Sequence, residues 1–350
     1  ATVLAENNTH YTGKMAANIL ADNFRQESNL DIPRERAAEV RNEIRQEQRK
    51  TTPSPLMTSN FSMTEMNDAV RSLKAKKSPG KDGITNEMIK NLGSFAKTKL
   101  LDVFNQSWTS GEIPASWKEA IVVPILKKGK DKHSKNSYRP ISLLSCLGKT
   151  MERMVNKRLQ HHLEVNHLLT PAQSGFRKNR STEDQVAYLT QEVENGFQRK
   201  FKTLAVFVDL TKAFDKVWKE GLLLKLLKKN ICGKMFPWIE SYLFQRSARV
   251  KLDGRTSSLV KIREGVPQGG VISPTLFTIF IDDIVENLTS HISRALHADD
   301  LSVWTASEHI TTAAYRMQES LNGISHWAHQ WLVSINKTKT EATCFSLSPK

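Results

Sequence analysis

The order of element signals predicts an α+β fold: short amphipathic helices fill the first half of the chain, and strands interleaved with helices fill the second. Two local observations support that class over a doubly wound sheet. The apolar run Leu204 to Leu210 has the profile of a buried strand, and Ser273-Pro274 opens an apolar helix with serine as cap and proline at the first helical position. No internal repeat is present.

Residues 1–60 are polar and charge-mixed, with a helical stretch from Glu35 to Arg49 and the breaker run Thr51 to Ser54, and read as a linker or docking extension. From Phe61 the pattern becomes amphipathic. Thr64 is placed to cap a helix running to Lys74, and Met88, Ile89, Leu92, Phe95, Leu100, Leu101, Val103 and Phe104 suggest a further pair. Between them Lys76-Lys77-Ser78-Pro79-Gly80-Lys81-Asp82-Gly83 reads as an exposed basic loop. A strand from Ala120 to Leu126 runs into the lysine-rich segment 127–132, either a solvated loop or a phosphate contact. Arg249 to Leu252, Asp253-Gly254 and Ser258 to Ile262 read as a hairpin with Asp-Gly at its turn. Leu276, Phe277, Ile279, Phe280, Ile281 and Ile284 make the helix after Ser273 largely buried.

Lys and Arg number 51 against 36 Asp and Glu, and the net charge of +15 favours a polyanionic partner such as nucleic acid. Cys146, Cys232 and Cys344 lie far apart with no Cys-x-x-Cys pair, which indicates neither a zinc site nor a disulfide framework and suits a reducing compartment. No apolar run approaches the roughly 18 to 20 residues of a membrane span. The chain begins with Ala1, and a fragment of a longer protein is expected.

Two acidic sites carry the chemistry. In Phe207-Val208-Asp209-Leu210-Thr211-Lys212-Ala213-Phe214-Asp215 a carboxylate ends a hydrophobic strand and an aromatic follows five positions later. In Leu296-His297-Ala298-Asp299-Asp300-Leu301 a pair of carboxylates sits between apolar flanks, as in a tight turn between strands. A carboxylate beside a hydrophobic sheet costs several kcal/mol unless paired or bound to metal, so two of them ask for a common explanation. Magnesium supplies one: a hard dication takes oxygen ligands, and two ions about 4 Å apart can activate a hydroxyl and stabilise leaving pyrophosphate. Between the acidic sites, the segment 264–274 is a glycine-rich turn entering a helix, where Gln268 offers donor and acceptor to a base or sugar and Gly269 lets backbone approach a ligand.

Six segments in order resemble the successive motifs of a non-LTR (LINE-type) retrotransposon reverse transcriptase, closest to the jockey-like elements: 78–83, Tyr138-Arg139-Pro140-Ile141-Ser142-Leu143-Leu144, Gln173-Ser174-Gly175-Phe176-Arg177, 209–215, Gly265-Val266-Pro267-Gln268-Gly269 and Ala298-Asp299-Asp300. The match covers roughly Phe61 to Phe345. The resemblance implies a right-hand polymerase, with helical fingers over 61–203, an antiparallel-sheet palm over 204–350 and the thumb largely missing. It implies an RNA-directed DNA polymerase acting in retrotransposition, which adds deoxynucleotides to a primer 3′-hydroxyl by nucleotidyl transfer with two magnesium ions, manganese being the alternative. Asp209 and Asp299 would hold the metals, with Asp300 beside them and the Leu210 carbonyl as a further ligand. Phe214 would exclude a ribose 2′-hydroxyl. Arg139 and Lys149 would lie near the triphosphate with Gln268 and Gly269, and Arg177 and Arg180 would contact template or triphosphate. Lys339, in Asn336-Lys337-Thr338-Lys339-Thr340, would donate a proton to departing pyrophosphate. The implied partners are an RNA template, a DNA primer and deoxynucleoside triphosphates, with no membrane; an upstream endonuclease and a downstream thumb are expected in the full protein. The implied location is intracellular, in nucleus and cytoplasm.

His297 departs from the family's usual aromatic before Ala-Asp-Asp, and the missing thumb implies weak, poorly processive synthesis. An RNA-templated RNA polymerase would carry an acidic residue where Phe214 stands. A catalytically inactive retrotransposon-derived nucleic-acid-binding protein is the alternative from a different class.

Overall fold

The computed structural model describes residues 2–6 and 9–347 of a mixed α+β chain that divides into two compact units. The first comprises residues 1–165 with 214–273, the second 166–213 with 274–350.

In the first unit, strand Glu119–Leu126 runs between Tyr138–Leu143, its antiparallel neighbour, and Arg246–Leu252, its parallel one. The Arg246–Leu252 strand turns back through Asp253 and Gly254, whose φ values of 47° and 77° suit the turn geometry that follows a strand's twist. The predicted hairpin is present, but its return strand is broken. Arg255–Thr256 and Val260–Ile262 pair separately, and between them the Ser257 hydroxyl accepts from Val250 N at 2.9 Å.

Helix Gly13–Glu27 covers this sheet. Ala16, Ala17, Leu20, Ala21 and Phe24 share one of its faces and are buried with Ala120, Val122, Ala248 and Val250. Helix Arg34–Lys50 packs against helix Lys219–Lys228. Within residues 1–60, for which the sequence suggested a linker or docking extension, the first helix is therefore built into the core of this unit and the second packs on it through Ala37 and Val40. The buried face of the first helix is mostly alanine, and three small methyl groups among polar neighbours leave little periodic signal.

Further along, the helix expected from Thr64 spans Met63–Arg71 and is capped by Ser62 instead. Ser62 and Glu65 form a reciprocal capping box, satisfying two main-chain donors at once. The next pair is present as Asn86–Lys90 and Ser94–Ser110, although Met88, Phe95 and Val103 lie exposed. In the basic loop, Lys76, Lys77 and Lys81 are exposed, whereas Gly80 is pressed so close to Ser145 N that a Cβ there would lie 2.6 Å away.

Arg158, on helix Cys146–Val165, ties these pieces together. Its buried guanidinium bonds the Glu65 carboxylate at 2.7 and 2.9 Å and the carbonyls of Ser59 and Asn60 at 2.7 and 3.1 Å. It also stacks 4.0 Å from the centre of the Phe61 ring. Burial pushes the Glu65 carboxyl up, but the bonds from Arg158 and Ser62 outweigh it and hold the group below the usual carboxylate range.

The second unit is a four-stranded antiparallel sheet in the order Glu341–Phe345, Lys202–Val208, Asp300–Ser307, Ser293–His297. One face carries Ala205, Ala295 and Trp304, covered by helix Thr182–Gln198 through Leu189 and through Tyr188, whose ring lies 5.2 Å from that of Trp304. Helix Ile310–Gln330 packs on the two central strands. Among the described residues, no helix is long and apolar enough to cross a membrane.

Replacing Arg158 with alanine would strand the Glu65 carboxylate and several carbonyls. A loss of about 3 kcal/mol or more is expected in urea unfolding at neutral pH. Because the folded Glu65 value is depressed, that contribution is present above the ordinary glutamate pKa of about 4.3 and fades as the pH falls through the folded value.

Candidate active site

Asp209 follows the last residue of strand Lys202–Val208, and its main chain is fastened on both sides. Its carbonyl accepts from Asn336 N at 2.8 Å, its N–H donates to the Thr340 hydroxyl at 3.3 Å, Leu210 bridges Ile335, and Thr211 N donates to Ser334 O at 2.8 Å. The segment 334–340 is a compact turn around Asn336, whose carbonyl accepts from Thr340 N at 2.9 Å and whose side-chain oxygen accepts from the Thr338 hydroxyl at 2.8 Å. That turn brings the exposed ammonium of Lys339 to 3.9 Å from the Asp209 carboxylate.

Asp299 lies in the two-residue turn joining Ser293–His297 to Asp300–Ser307, where His297 and Asp300 are register partners. Leu301 pairs with Val208, so one further step of the antiparallel register sets Asp300 opposite Asp209. The carboxylates thus meet at one end of one sheet. Burial pushes the Asp299 carboxyl up from the usual range, and the negative charges of Asp300 and Asp209 push it further, against the opposing pull of its own main-chain N–H and, more weakly, of His297.

Such a cluster is poorly stable by itself and fits a hard cation. Among the described residues, no group of three or more His, Cys, Asp or Glu side chains forms a metal cage. Magnesium does not ask for one: it is commonly held by one or two carboxylates with water and substrate phosphates completing the octahedron. The donor set here is oxygen only, which suits magnesium or manganese over softer metals.

The remaining predicted residues fall in two places. Arg177 and Arg180 share the second unit with the aspartates, and both are engaged with their own loop. Arg177 Nη1 donates to Thr170 O and Gln173 O at 2.9 and 3.2 Å, and Arg180 Nη1 donates to Pro171 O at 3.2 Å. Arg139, Lys149, Phe214, Gln268 and Gly269 belong to the first unit. Arg139 is exposed on its strand, Lys149 is half-buried on helix Cys146–Val165, and burial pulls the lysine ammonium below its ordinary value against the opposing charge of Glu152.

The glycine-rich loop of the first unit is held by groups that sequence inspection did not single out. Gln268 Nε2 donates to both carboxylate oxygens of Asp215, at 2.8 and 2.9 Å, and Gln268 O accepts from Ser142 N at 2.8 Å. Val266 N donates to the carbonyl of the half-buried Phe214 at 2.9 Å. Gly265, at φ +85°, and Gly269, at φ +124°, approach the carbonyls of Asp215 and Ser142 so closely that a Cβ would lie 2.5 Å from either. Buried Glu152 accepts from Val271 N at 2.6 Å, Ile272 N at 3.2 Å and the Tyr242 hydroxyl at 3.3 Å. Asp215 ends a motif already noted, so its spacing was a signal. Glu152 and Tyr242 lie in ordinary amphipathic helices and left none.

A chain with this sheet and this carboxylate cluster belongs to the reverse transcriptase (RNA-dependent DNA polymerase) family, whose model matches residues 125–349. It is 36% identical over 289 residues to the probable RNA-directed DNA polymerase from transposon BS of Drosophila melanogaster, covering 81% of this chain and 32% of that protein. With the RNA-directed DNA polymerase from mobile element jockey of the same fly it shares 34% identity over 297 residues, covering 83% and 32%. A Pol polyprotein of the type-1 retrotransposable element R2 from Popillia japonica is 27% identical over 214 residues, covering 61% and 29%. These relatives set the chain in the non-LTR, LINE-type branch of the family. The chain spans about a third of the length of the curated relatives it matches.

The raised Asp299 carboxyl gives a test that needs no turnover. Since the folded value lies above the unfolded one, the group favours folding when protonated, and that contribution is lost as the pH rises through the folded value. In EDTA at pH 7, Asp299→Asn is therefore expected to melt above wild type, the difference closing below the ordinary aspartate pKa of about 3.9. Magnesium is expected to raise the wild-type midpoint and to move that of the variant less.

Proposed function

We propose that this chain is the polymerase segment of a non-LTR retrotransposon protein and copies RNA into DNA by two-metal nucleotidyl transfer. The observation that carries the proposal is the meeting of Asp209, Asp299 and Asp300 at one end of an antiparallel sheet, with oxygen donors alone. In this proposal residues 61–203 are the fingers and 204–350 the palm of a right-hand polymerase. The substrates are an RNA template, a DNA primer and deoxynucleoside triphosphates, and the chain works inside the cell, in cytoplasm and nucleus.

Asp209, Asp299 and the Leu210 carbonyl would hold magnesium, with Asp300 beside them. When bound, the two ions lower the pKa of the primer 3′-hydroxyl and offset charge on the transferring phosphoryl group. The protein contributes position: fixed carboxylates align the hydroxyl and the α-phosphorus for in-line attack without reorganising as charge develops. Lys339, exposed and 3.9 Å from the Asp209 carboxylate, would give a proton to leaving pyrophosphate. Arg139 and Lys149 would offset charge on the β- and γ-phosphates. Phe214, a broad ring on the chain leaving the Asp209 strand, would stack under the sugar and leave no space for a 2′-hydroxyl. Gln268, oriented by Asp215, and Gly269 would line the nucleotide site. Arg177 and Arg180 would brace the template side.

Primer extension on an RNA template with magnesium tests this. Wild type is expected to incorporate deoxynucleotides, and Asp299→Ala or Asp209→Asn to lose roughly a thousandfold in rate. RNA binding with steep salt dependence but no extension in magnesium or manganese would instead mark an inactive nucleic-acid-binding protein. Phe214→Val is expected to narrow the preference for deoxy over ribo substrates by about tenfold or more. Unchanged discrimination would remove the ring from that role.

A further inference from the structure

The turn that carries Asp299 has a conformational problem. Ala298, its first residue, sits at φ +57°, a region that residues with a Cβ seldom adopt unless their surroundings hold them there. Its N–H and C=O are turned away from the hairpin ladder and lie in a buried setting, where each needs a partner.

One side chain meets both. Gln173 is fully buried, at 0% exposure, and its Oε1 accepts from Ala298 N at 3.1 Å and from Gly175 N at 2.7 Å, while Nε2 donates to Ala298 O at a longer 3.4 Å. The main chain around Gln173 is bonded along the outer edge of strand Ser293–His297. Leu296 N donates to Ala172 O at 3.0 Å, Ser174 N donates to Leu296 O at 2.8 Å, and Gln173 forms a parallel bridge with Leu296. Gly175 lies so close to Ala298 N that a Cβ would clash with it. The loop itself is braced by Arg177 on the Thr170 and Gln173 carbonyls and by Asp282, whose Oδ1 accepts from Thr170 N at 2.8 Å.

We infer that Gln173 is a positioning residue for catalysis, an amide clamp that fixes the Ala298-Asp299 turn so that Asp299 is presented beside Asp209. The residue type follows from the chemistry. Two N–H groups and a carbonyl need an acceptor and a donor on one neutral group; lysine cannot accept, and a glutamate would add a further negative charge near three aspartates. The clamp deepens the proposed polymerase function and rests on Asp209 and Asp299 acting as its carboxylates.

Gln173→Met keeps the length and volume of the side chain and removes its hydrogen bonds. Hydrogen exchange of the 296–301 amides is expected to become faster in this variant, with a cooperative melt retained. In primer extension kcat is expected to fall roughly a hundredfold, as a shift of about 1 Å in a reacting group can cause, while KM for the deoxynucleotide and the affinity for RNA stay within about twofold. Wild-type exchange in the turn together with wild-type kcat would overturn the inference, and so would a loss confined to KM. Should Gln173→Met fail to fold, Gly175→Ala displaces the same turn from the other side of the clamp. The same kcat-selective loss is expected, and wild-type behaviour would overturn it. If the wild-type chain makes no DNA, the polymerase proposal falls, and exchange at the turn still decides the clamp: faster supports it, equal removes it.

Discussion

The burial of the Asp299 carboxylate, with the like charges of Asp300 and Asp209 beside it, is the constraint on which the second unit depends. Like charges on mobile side chains would simply move apart. Here they are carried on segments whose main chains are bonded on both flanks, so the repulsion is stored as an unsatisfied demand for positive charge. Strand Lys202–Val208 delivers Asp209, the 334–340 turn fastens it, and the central strand pairing brings the hairpin turn to the same end of the sheet. Lys339, the nearby cation whose distance to Asp209 is 3.9 Å, is exposed and answers that demand weakly.

The first unit handles its carboxylates differently. Glu152 and Asp215 are met by neutral donors, main-chain N–H groups and a hydroxyl for the one, the Gln268 amide for the other. Those bonds restrain a loop rich in glycine, the residue with the most conformational freedom to lose. Gly265 and Gly269 supply backbone shapes and close approaches that no other residue could take without displacing a carbonyl.

The parts legible in the sequence were those written in a short window. The Leu204 to Leu210 run announced its strand, the Asp-Gly pair its turn, and Ser273-Pro274 its helix start, because each depends on neighbours within a few residues. Asp209 and Asp299 were paired in advance by two signals together: a carboxylate on an apolar strand and another in a tight turn, and the order of motifs that resembles the family's. The Gly13–Glu27 helix was hidden by its alanine face, and Ser62 displaced Thr64 as a cap because Glu65 stands at the distance needed for a reciprocal box. The clamp on Ala298 and the bonds that Glu152 accepts from Val271 and Ile272 join residues more than a hundred positions apart, and no local pattern encodes such a pairing. Gln268 shows the same limit from the other side: its chemistry was legible, while its partner Asp215 was set by folding.

The central claim, that these aspartates together form a divalent-cation site, is tested most directly by titrating the metal-free chain with manganese and following free Mn2+ by electron paramagnetic resonance. Saturable binding to the wild type, lost in an Asp209→Asn, Asp299→Asn double variant that still melts cooperatively, is the expected result. Equal manganese binding by the two proteins would contradict the account.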